Sequence, residues 1–551
     1  MRLFFTSGSN YGLAAVMTIA HWTPRTTISR QEQFLLKRLQ RTRKLFAFLR
    51  LYRHQLFDES FQDELAGMYR DTGAGKDAKP PALLAMALLL QGYLGTSDAE
   101  VVEMTVVDLR WQMVLDRLGA DEPAFSQGAL QNFRERLIAA DLDRRLLERT
   151  VELAKQTRAF DAKKLPKSLR IAIDSSPLEG AGRVEDTFNL LGHAARKVVE
   201  CAAAALQLSV EQVCRRAGIP LLLESSIKKG LDCDWSDPEA KQTALQELLG
   251  QLDSLKQWLT KRPEALQEPQ LEQQLQVLEQ IMGQDLEPDP KSPKGKPRLC
   301  IRKGVATDRR VSIEDGDMRH GRKSKSKRFS GYKRHIATAL DAQIILACAV
   351  TPANKPEQEA AEPLSDDIAR QGYNIRELNI DRGYINAPVV EQTLERSGTV
   401  VCKPWRQQNS RGQLFSKRDF HIDLRRLTIT CPAGETEGFE PGQVVEFDPD
   451  VCDACPVRNR CTLSSVGQGR TVHIGENEPL QKKLRALQQT PSGREKLRQR
   501  VGVEHNLAHV SQRQGRRARY RGLRKNLFDL RRAASVQNLE TIQRVQLKKA
   551  A

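Results

Sequence analysis

Apolar and polar positions divide the chain into blocks of different period. Residues 30–158 carry apolar residues at helical spacing with no strand-like run, which predicts an all-helical region. Within it residues 31–53 are basic and residues 80–95 strongly apolar, and Ser97 with Glu100 forms a capping box that opens the next helix. Ser126 caps a short basic helix over 127–138 that carries Arg134 and Arg136. Short helices closed by a basic one are compatible with a helix-turn-helix DNA reader, and equally with a helical dimerisation or linker unit.

The period changes at Leu169. The run LRIAID (169–174) is short, apolar and rich in β-branched residues, so a strand ending in Asp174 is expected. Helical spacing returns over about 190–290 and closes in the Pro/Lys-rich linker 288–297. Strands are then expected at 331–340 and 344–350, joined by a turn at 341–343, and at 375–381 and 399–404. Helices at 357–371 and 387–397 separate the later ones. Residues 415–475 read as β-rich and irregular, and the chain ends in helices from about 493.

Without the helical block, three consecutive strands precede alternating helix and strand, the order of a mixed sheet with helices on its faces. The fold class expected is therefore α+β and multidomain. It comprises an extension (1–30), a helical amino-terminal region (31–160), a core in two pieces (165–190 and 300–410), a helical insert with its linker (191–299), a β-rich insert containing cysteines (411–478), and carboxy-terminal helices that complete the core and carry a basic tail (479–551).

Three acidic residues stand out against this pattern. Asp174 has apolar neighbours Ile171 and Ile173, and a carboxylate on a buried strand costs roughly several kcal/mol without a partner. Asp381 ends a later strand, at the carboxyl edge where open sheets place ligands. On a helix expected over 494–512, Glu504 shares a stripe with Leu497, Val501 and Ala508, which predicts that it faces the protein. Such a glutamate either binds a metal or pairs with a cation, and Arg500, four residues earlier, could supply the pair. Carboxylate oxygens suit Mg²⁺ or Mn²⁺, and two such ions can serve both the attacking and the leaving oxygen of a phosphodiester displacement. No Ser-His-Asp or Cys-His grouping competes, and GAGR (180–183) lacks the lysine and spacing of a P-loop.

Composition narrows the partner. With 87 Lys and Arg against 69 Asp and Glu the net charge is +18, which predicts affinity for a polyanion or an anionic membrane. The apolar segment 11–22 is too short to span a bilayer and has no small-residue cleavage pattern, so it reads as a poorly packed extension and no membrane partner is expected. Six of the ten cysteines are scattered singletons, which suits a reducing compartment, by default the cytoplasm. Residues 319–334 hold eight Lys or Arg and no acid, interleaved with Phe329 and Tyr332. A solvated face normally mixes signs, so this run and the tail at 513–549 read as phosphate-binding surfaces. The candidates are Arg319, Arg322, Lys323, Lys325, Lys327, Arg328, Lys333, Arg334, Arg516, Arg517 and Arg519, with Arg382 and Lys403 near the sheet edge.

The segments IDSSPLEGAGRVEDTFNLLG (173–192), DMRHGRKSKSKRFSGYKRH (317–335), IDRGY (380–384) and GVEHNLAHVSQRQGRRARYRGLRKN (502–526) occur in that order. They resemble the motif segments of the DDE transposases of bacterial insertion sequences, whose RNase H-like core is related to that of retroviral integrases. FRERL (133–137) is similar to part of the amino-terminal domain of the same transposases. The resemblance implies that Asp174, Asp381 and Glu504 bind two Mg²⁺ or Mn²⁺ ions, that Arg500 assists them, and that the protein acts as a homodimer on double-stranded DNA. Its substrates would be the terminal inverted repeats of the element and a target duplex, and it would associate with the nucleoid. In one branch of the family the glutamate is accompanied by Tyr, Arg and Lys; here Arg500 matches, but Leu497 and Ser511 replace the other two, a departure from the signature that supports hairpin formation.

Cys431, Cys452, Cys455 and Cys461 supply a C-x₂-C pair and two nearby thiols, compatible with structural Zn²⁺, with reduced free cysteines or with a redox pair. Similar transposases carry CPAG and a C-x₂-CP-x₄-C run at matching positions. Two further readings are kept: a nuclease on the same fold that cuts without joining, and a catalytically inactive zinc-containing DNA-binding regulator. Strand-transfer products would separate the first, and binding without Mg²⁺-dependent cleavage the second.

Overall fold

A computed structural model describes residues 19–69, 78–157, 166–292, 297–324, 326–406 and 414–550. Most of the apolar segment 11–22 lies outside these residues. Its end packs, contrary to expectation: Trp22 is buried edge-on to Phe57 and donates its backbone N–H to Gln62.

The described residues between 30 and 156 form a succession of helices, as their spacing predicts. The helix α1 (Pro81–Leu94) is apolar on every side and so can only be buried; Pro81 starts it and Gly95, at φ 79°, ends it in the left-handed region. Ser126 caps α2 (Gln127–Ala139). Its Arg134 turns inward, to Asp98 and the Tyr520 hydroxyl, and Arg136 lies over the Tyr69 ring. Arg134 is therefore spent on packing the helices together, not on a base edge.

The sheet is mixed. Strand β1 (Ser168–Glu179) pairs antiparallel with β3 (Arg328–Ala339) and parallel with β5 (Asn374–Asn379). On its other side β3 pairs with β2 (Arg319–Arg322) at one end and with β4 (Ile344–Pro352) at the other, while β6 (Thr399–Val401) runs parallel to β5. The order is thus β4–β3–β1–β5–β6, with β1 central. Helices Ala361–Arg370 and Pro388–Glu395 link β4 to β5 and β5 to β6.

Two strands exceed their expected length. β1 continues five residues beyond Asp174 because β3 pairs with it as far as Glu179. Pro177 is tolerated there because the pairing with β5 stops at Ala172, leaving that edge of β1 open. β3 likewise begins before Gly331, extended by the hairpin with β2.

The last helices close the structure. The helix expected over 494–512 is two, α3 (Pro491–Gln499) and α4 (Val501–Gln514), joined at Arg500. The long α5 (Leu523–Ala550) lies across β4 and the amino-terminal helices. Its Asn538 bonds the Ile345 N–H and C=O, each at 2.8 Å, and the Thr150 hydroxyl. The expected basic tail is largely this structural element: Arg524 and Arg531 pair with Asp143, and Arg532 with Asp529. The charge run looked unpaired in part because Asp143, which pairs with Arg524 and Arg531, lies 381 and 388 residues away.

Residues 187–285 pack around a core of their own that includes Leu191, Val198, Leu248 and Leu278. In the expected linker, Leu286–Pro288 pairs with Leu299–Ile301, and residues 293–296 lie outside the described set. Five short strands between His421 and His473 enclose Phe420, Ile429, Phe447 and Ile474. Among the described residues no helix is long and apolar enough to cross a membrane.

Candidate active site

Asp174, Asp381 and Glu504, separated by as many as 330 positions, line one pocket of about 490 Å³. Three local structures bring them together. Asp174 lies within β1 opposite Ile336, and its Oδ1 accepts the N–H of Ser175 at 2.8 Å. Asp381 follows β5 and caps the single turn Arg382–Tyr384, accepting the Arg382 N–H at 2.9 Å. Tyr384 anchors that turn: its hydroxyl lies 2.7 Å from His335 Nδ1, and His335 Nε2 is 2.9 Å from the Thr351 hydroxyl. Burial holds the His335 imidazole neutral, its pKa lowered to about 3.

Glu504 projects from α4 and is half exposed. The stripe expected to face the protein does not: Val501, Glu504 and Ala508 are exposed and Leu497 is only partly covered. The chain breaks its helix at Arg500, and the face that packs on the sheet is Val503, Leu507 and Val510, joined to Ala172 and Ile336. The expected stripe instead lines clefts. Ala508 and Ser511 line the pocket described above, and Leu497 and Val501 line a second cleft that also reaches Asp381, Arg500 and Glu504.

Arg500 joins two of the carboxylates, with Nη2 at 3.0 Å from Glu504 Oε1 and Nη1 at 3.4 Å from Asp174 Oδ1. Burial pushes the Asp174 carboxyl above its usual range, and the charges of Glu504 and Asp381 push the same way against Arg500 and the Ser175 N–H. Burial alone would lower the Arg500 guanidinium, but the three carboxylates together raise it. The Asp174 shift is thus owed first to burial, and the Arg500 shift to the carboxylates around it.

Glu357, which sequence reasoning missed, is a fourth acid lining this pocket, and its Oε1 accepts the Ser175 hydroxyl at 2.6 Å. An acid at the start of a helical turn is ordinarily ascribed to the helix dipole, which hides any other role.

Basic residues share the lining of this pocket. Arg322, Lys323 and Lys333 line the pocket, and the Lys333 ammonium also reaches the Lys355 carbonyl at 2.7 Å. Lys327 and Arg328 are exposed on the same hairpin, and Lys325 lies outside the described residues. Two of the expected phosphate contacts are corrected. Arg334 is buried and bonds Gln514, the Pro177 carbonyl and the Gly515 carbonyl, all within 3.0 Å. Arg319 is held by Asp308 and the Gly316 and Met318 carbonyls. Arg382 bonds the Pro404 carbonyl at 2.7 Å, and Lys403 is exposed in the second cleft. Arg516, Arg517 and Arg519 remain exposed while touching Glu179, the Gly180 and Ala181 carbonyls, and the Gly95 carbonyl respectively.

Cys431, Cys452, Cys455 and Cys461 line a separate cavity. Cys431 and Cys452 accept backbone N–H groups of Ala433 and Arg470 at 3.3 and 3.5 Å. Burial raises the Cys461 thiol, and the other three sulfurs add to the shift. Among the described residues no group of three or more His, Cys, Asp or Glu is arranged to hold a metal ion as it stands. The donor chemistry nevertheless fits: hard carboxylate oxygens in one pocket, four sulfurs around the other.

Two family models match the chain. A transposase DDE domain covers residues 426–543, including Glu504 and the four cysteines, and a transposase domain, DUF772, covers residues 36–136 of the amino-terminal helices. No curated protein and no solved structure was found to match. Transposase models at both ends of the sequence thus support a DDE-type transposase of an insertion sequence.

Proposed function

We propose that this transposase cuts DNA at the ends of its element and joins the freed 3′-hydroxyl to a target strand, with Asp174, Asp381 and Glu504 as the metal-binding carboxylates. The observation that carries the reading is the meeting of these three acids in one pocket that Arg322, Lys323 and Lys333 also line. The strand order β4–β3–β1–β5–β6, with Asp174 on the central strand and Asp381 just past its neighbour, supports an RNase H-like core. The residues 187–285 and the cysteine-containing segment are then inserts in that core, behind a helical amino-terminal domain.

In the first step a water oxygen bonds to phosphorus as the bond to the 3′ oxygen breaks. This leaves a 5′-phosphate and a 3′-hydroxyl that takes up a water proton. In the second step that hydroxyl attacks a target phosphodiester, its proton passing to solvent as the target's 3′ oxygen leaves. Two Mg²⁺ or Mn²⁺ ions, when bound, supply charge to the attacking and leaving oxygens. Asp174, Asp381 and Glu504 would hold them. Arg500 orients Asp174 and Glu504 and shields their repulsion. Arg322, Lys323 and Lys333 neutralise the strand's phosphates and set its register. No covalent enzyme intermediate forms, so catalysis is positioning and charge stabilisation.

The partners are two element ends and a target duplex, bound by a homodimer in the bacterial cytoplasm. Structural Zn²⁺ on Cys431, Cys452, Cys455 and Cys461 would hold the β-rich insert together. The test is incubation of the purified protein with Mg²⁺ and DNA flanking its own gene. Wild type is expected to give nicked ends and joined products, and Asp174→Ala, Asp381→Ala and Glu504→Ala neither. Equal cutting by all four proteins would overturn the reading, and nicking without joining would reduce it to a nuclease.

A further inference from the structure

Glu357 opens the turn that follows β4, a segment that belongs to neither the Asp174 strand nor the Asp381 turn, yet its carboxylate touches both. Oε1 accepts the hydroxyl of Ser175, the residue whose own N–H is bonded to Asp174. Oε2 lies against Gly383, two residues after Asp381: a Cβ on that glycine would come within 2.3 Å of the oxygen. Gly383 has an ordinary negative φ, so space and not backbone conformation requires glycine there. The carboxylate is thus wedged between the residue after Asp174 and the turn after Asp381.

Its placement is reinforced from the third strand. Lys333, on β3, is anchored by the Lys355 carbonyl, and the charge of Glu357 offsets part of the cost of burying its ammonium. The Ser175 hydroxyl also lies near the Tyr384 hydroxyl that His335 holds. Elements from β1, β3 and both turns therefore meet at one carboxylate.

We propose that Glu357 is a positioning residue for the carboxylate pocket, setting the distance between Asp174 and Asp381 through Ser175 and Gly383. It acts as a hydrogen-bond acceptor and spacer, not as a ligand. This inference rests on the reading of Asp174 and Asp381 as the metal-binding pair. A carboxylate pair must be held to about half an ångström to share ions.

The experiment compares wild type with Glu357→Ala, Glu357→Gln, Ser175→Ala and the Glu357→Ala/Ser175→Ala double variant, using the full chain. Cleavage of an end duplex in Mg²⁺, binding of Mn²⁺ without DNA and thermal melting are read in parallel. Glu357→Ala is expected to lower cleavage about 10- to 100-fold, the scale for a displacement of about 1 Å at a reacting centre. It should weaken Mn²⁺ binding in parallel. Glu357→Gln keeps an acceptor oxygen for Ser175 and should restore most of both, which a change in charge would not allow. Ser175→Ala should share the defect, and the double variant should be no worse than Glu357→Ala.

Equal loss in Glu357→Gln and Glu357→Ala with Ser175→Ala unaffected would overturn the proposal in favour of a charge role. Wild-type behaviour of Glu357→Ala would also overturn it. If Glu357→Ala melts early, Ser175→Ala and Glu357→Gln still decide. Inactive Asp174→Ala and Asp381→Ala proteins separate this failure from failure of the underlying function.

Discussion

Arg500 reaches across from the junction of two helices to Asp174 on the central strand, with Nη1 3.4 Å from Oδ1, while its other terminal nitrogen holds Glu504. One guanidinium thus offsets two carboxylates that the fold has drawn together.

Removing that cation should change when Asp174 ionises. In wild type, burial and two acidic neighbours raise its carboxyl, and Arg500 is the leading opposing influence. In Arg500→Ala the carboxyl should rise further, so the acid limb of the cleavage pH profile moves to higher pH. An unchanged acid limb would mean that Arg500 does not act on Asp174.

His335 makes stability depend on pH with a definite sign. Its imidazole is neutral in the fold, with a pKa lowered to about 3, but takes a proton near 6.5 when unfolded. The unfolded chain binds the extra proton, so this contribution is whole above about pH 6.5 and is lost as pH falls toward 3, by up to about 1.4 kcal/mol per unit. Thermal melts across that window should show a shallower acid decline in His335→Gln than in wild type.

The basic hairpin divides into surface and support. Arg322→Ala and Lys323→Ala should each reduce the salt dependence of DNA binding by about one released counterion while leaving the melting temperature unchanged. Arg334→Ala should do the opposite, costing about 2–4 kcal/mol of stability by orphaning buried acceptors. Its salt slope should stay that of wild type. Titrations of binding against salt, with denaturant melts, check both halves.

The four cysteines predict one zinc per chain by elemental analysis of protein purified without chelator. A strong chelator should remove it and lower the melting of the segment that Phe420, Ile429, Phe447 and Ile474 hold together. Metal-free protein with unaltered melting would leave the thiols as reduced free cysteines.

Much of the site was legible because two of its acids end or interrupt short β-branched runs, and strands declare themselves locally. The polar stretch after Asp174 did not, since Ser175, Ser176 and Pro177 join β1 only because β3 pairs with them. Glu504 was found for a partly mistaken reason: its apolar companions line clefts, and the break at Arg500 that turns them outward has no local signature. The basic runs misled most, because a linear reading sees charges but not their partners. Arg334 finds Gln514 at a separation of 180 residues, and Arg531 finds Asp143 at 388. Glu357 stayed hidden for the same reason, its partner Ser175 being 182 residues away.

Asp174, Asp381 and Glu504, far apart in sequence, are expected to share divalent ions. Anomalous scattering from crystals of the protein grown with Mn²⁺ and an end duplex tests it most directly. Peaks bounded by the carboxylates of Asp174, Asp381 and Glu504, lost in Asp381→Ala, are expected. Fully occupied Mn²⁺ elsewhere on the protein, with none among these three, would contradict it.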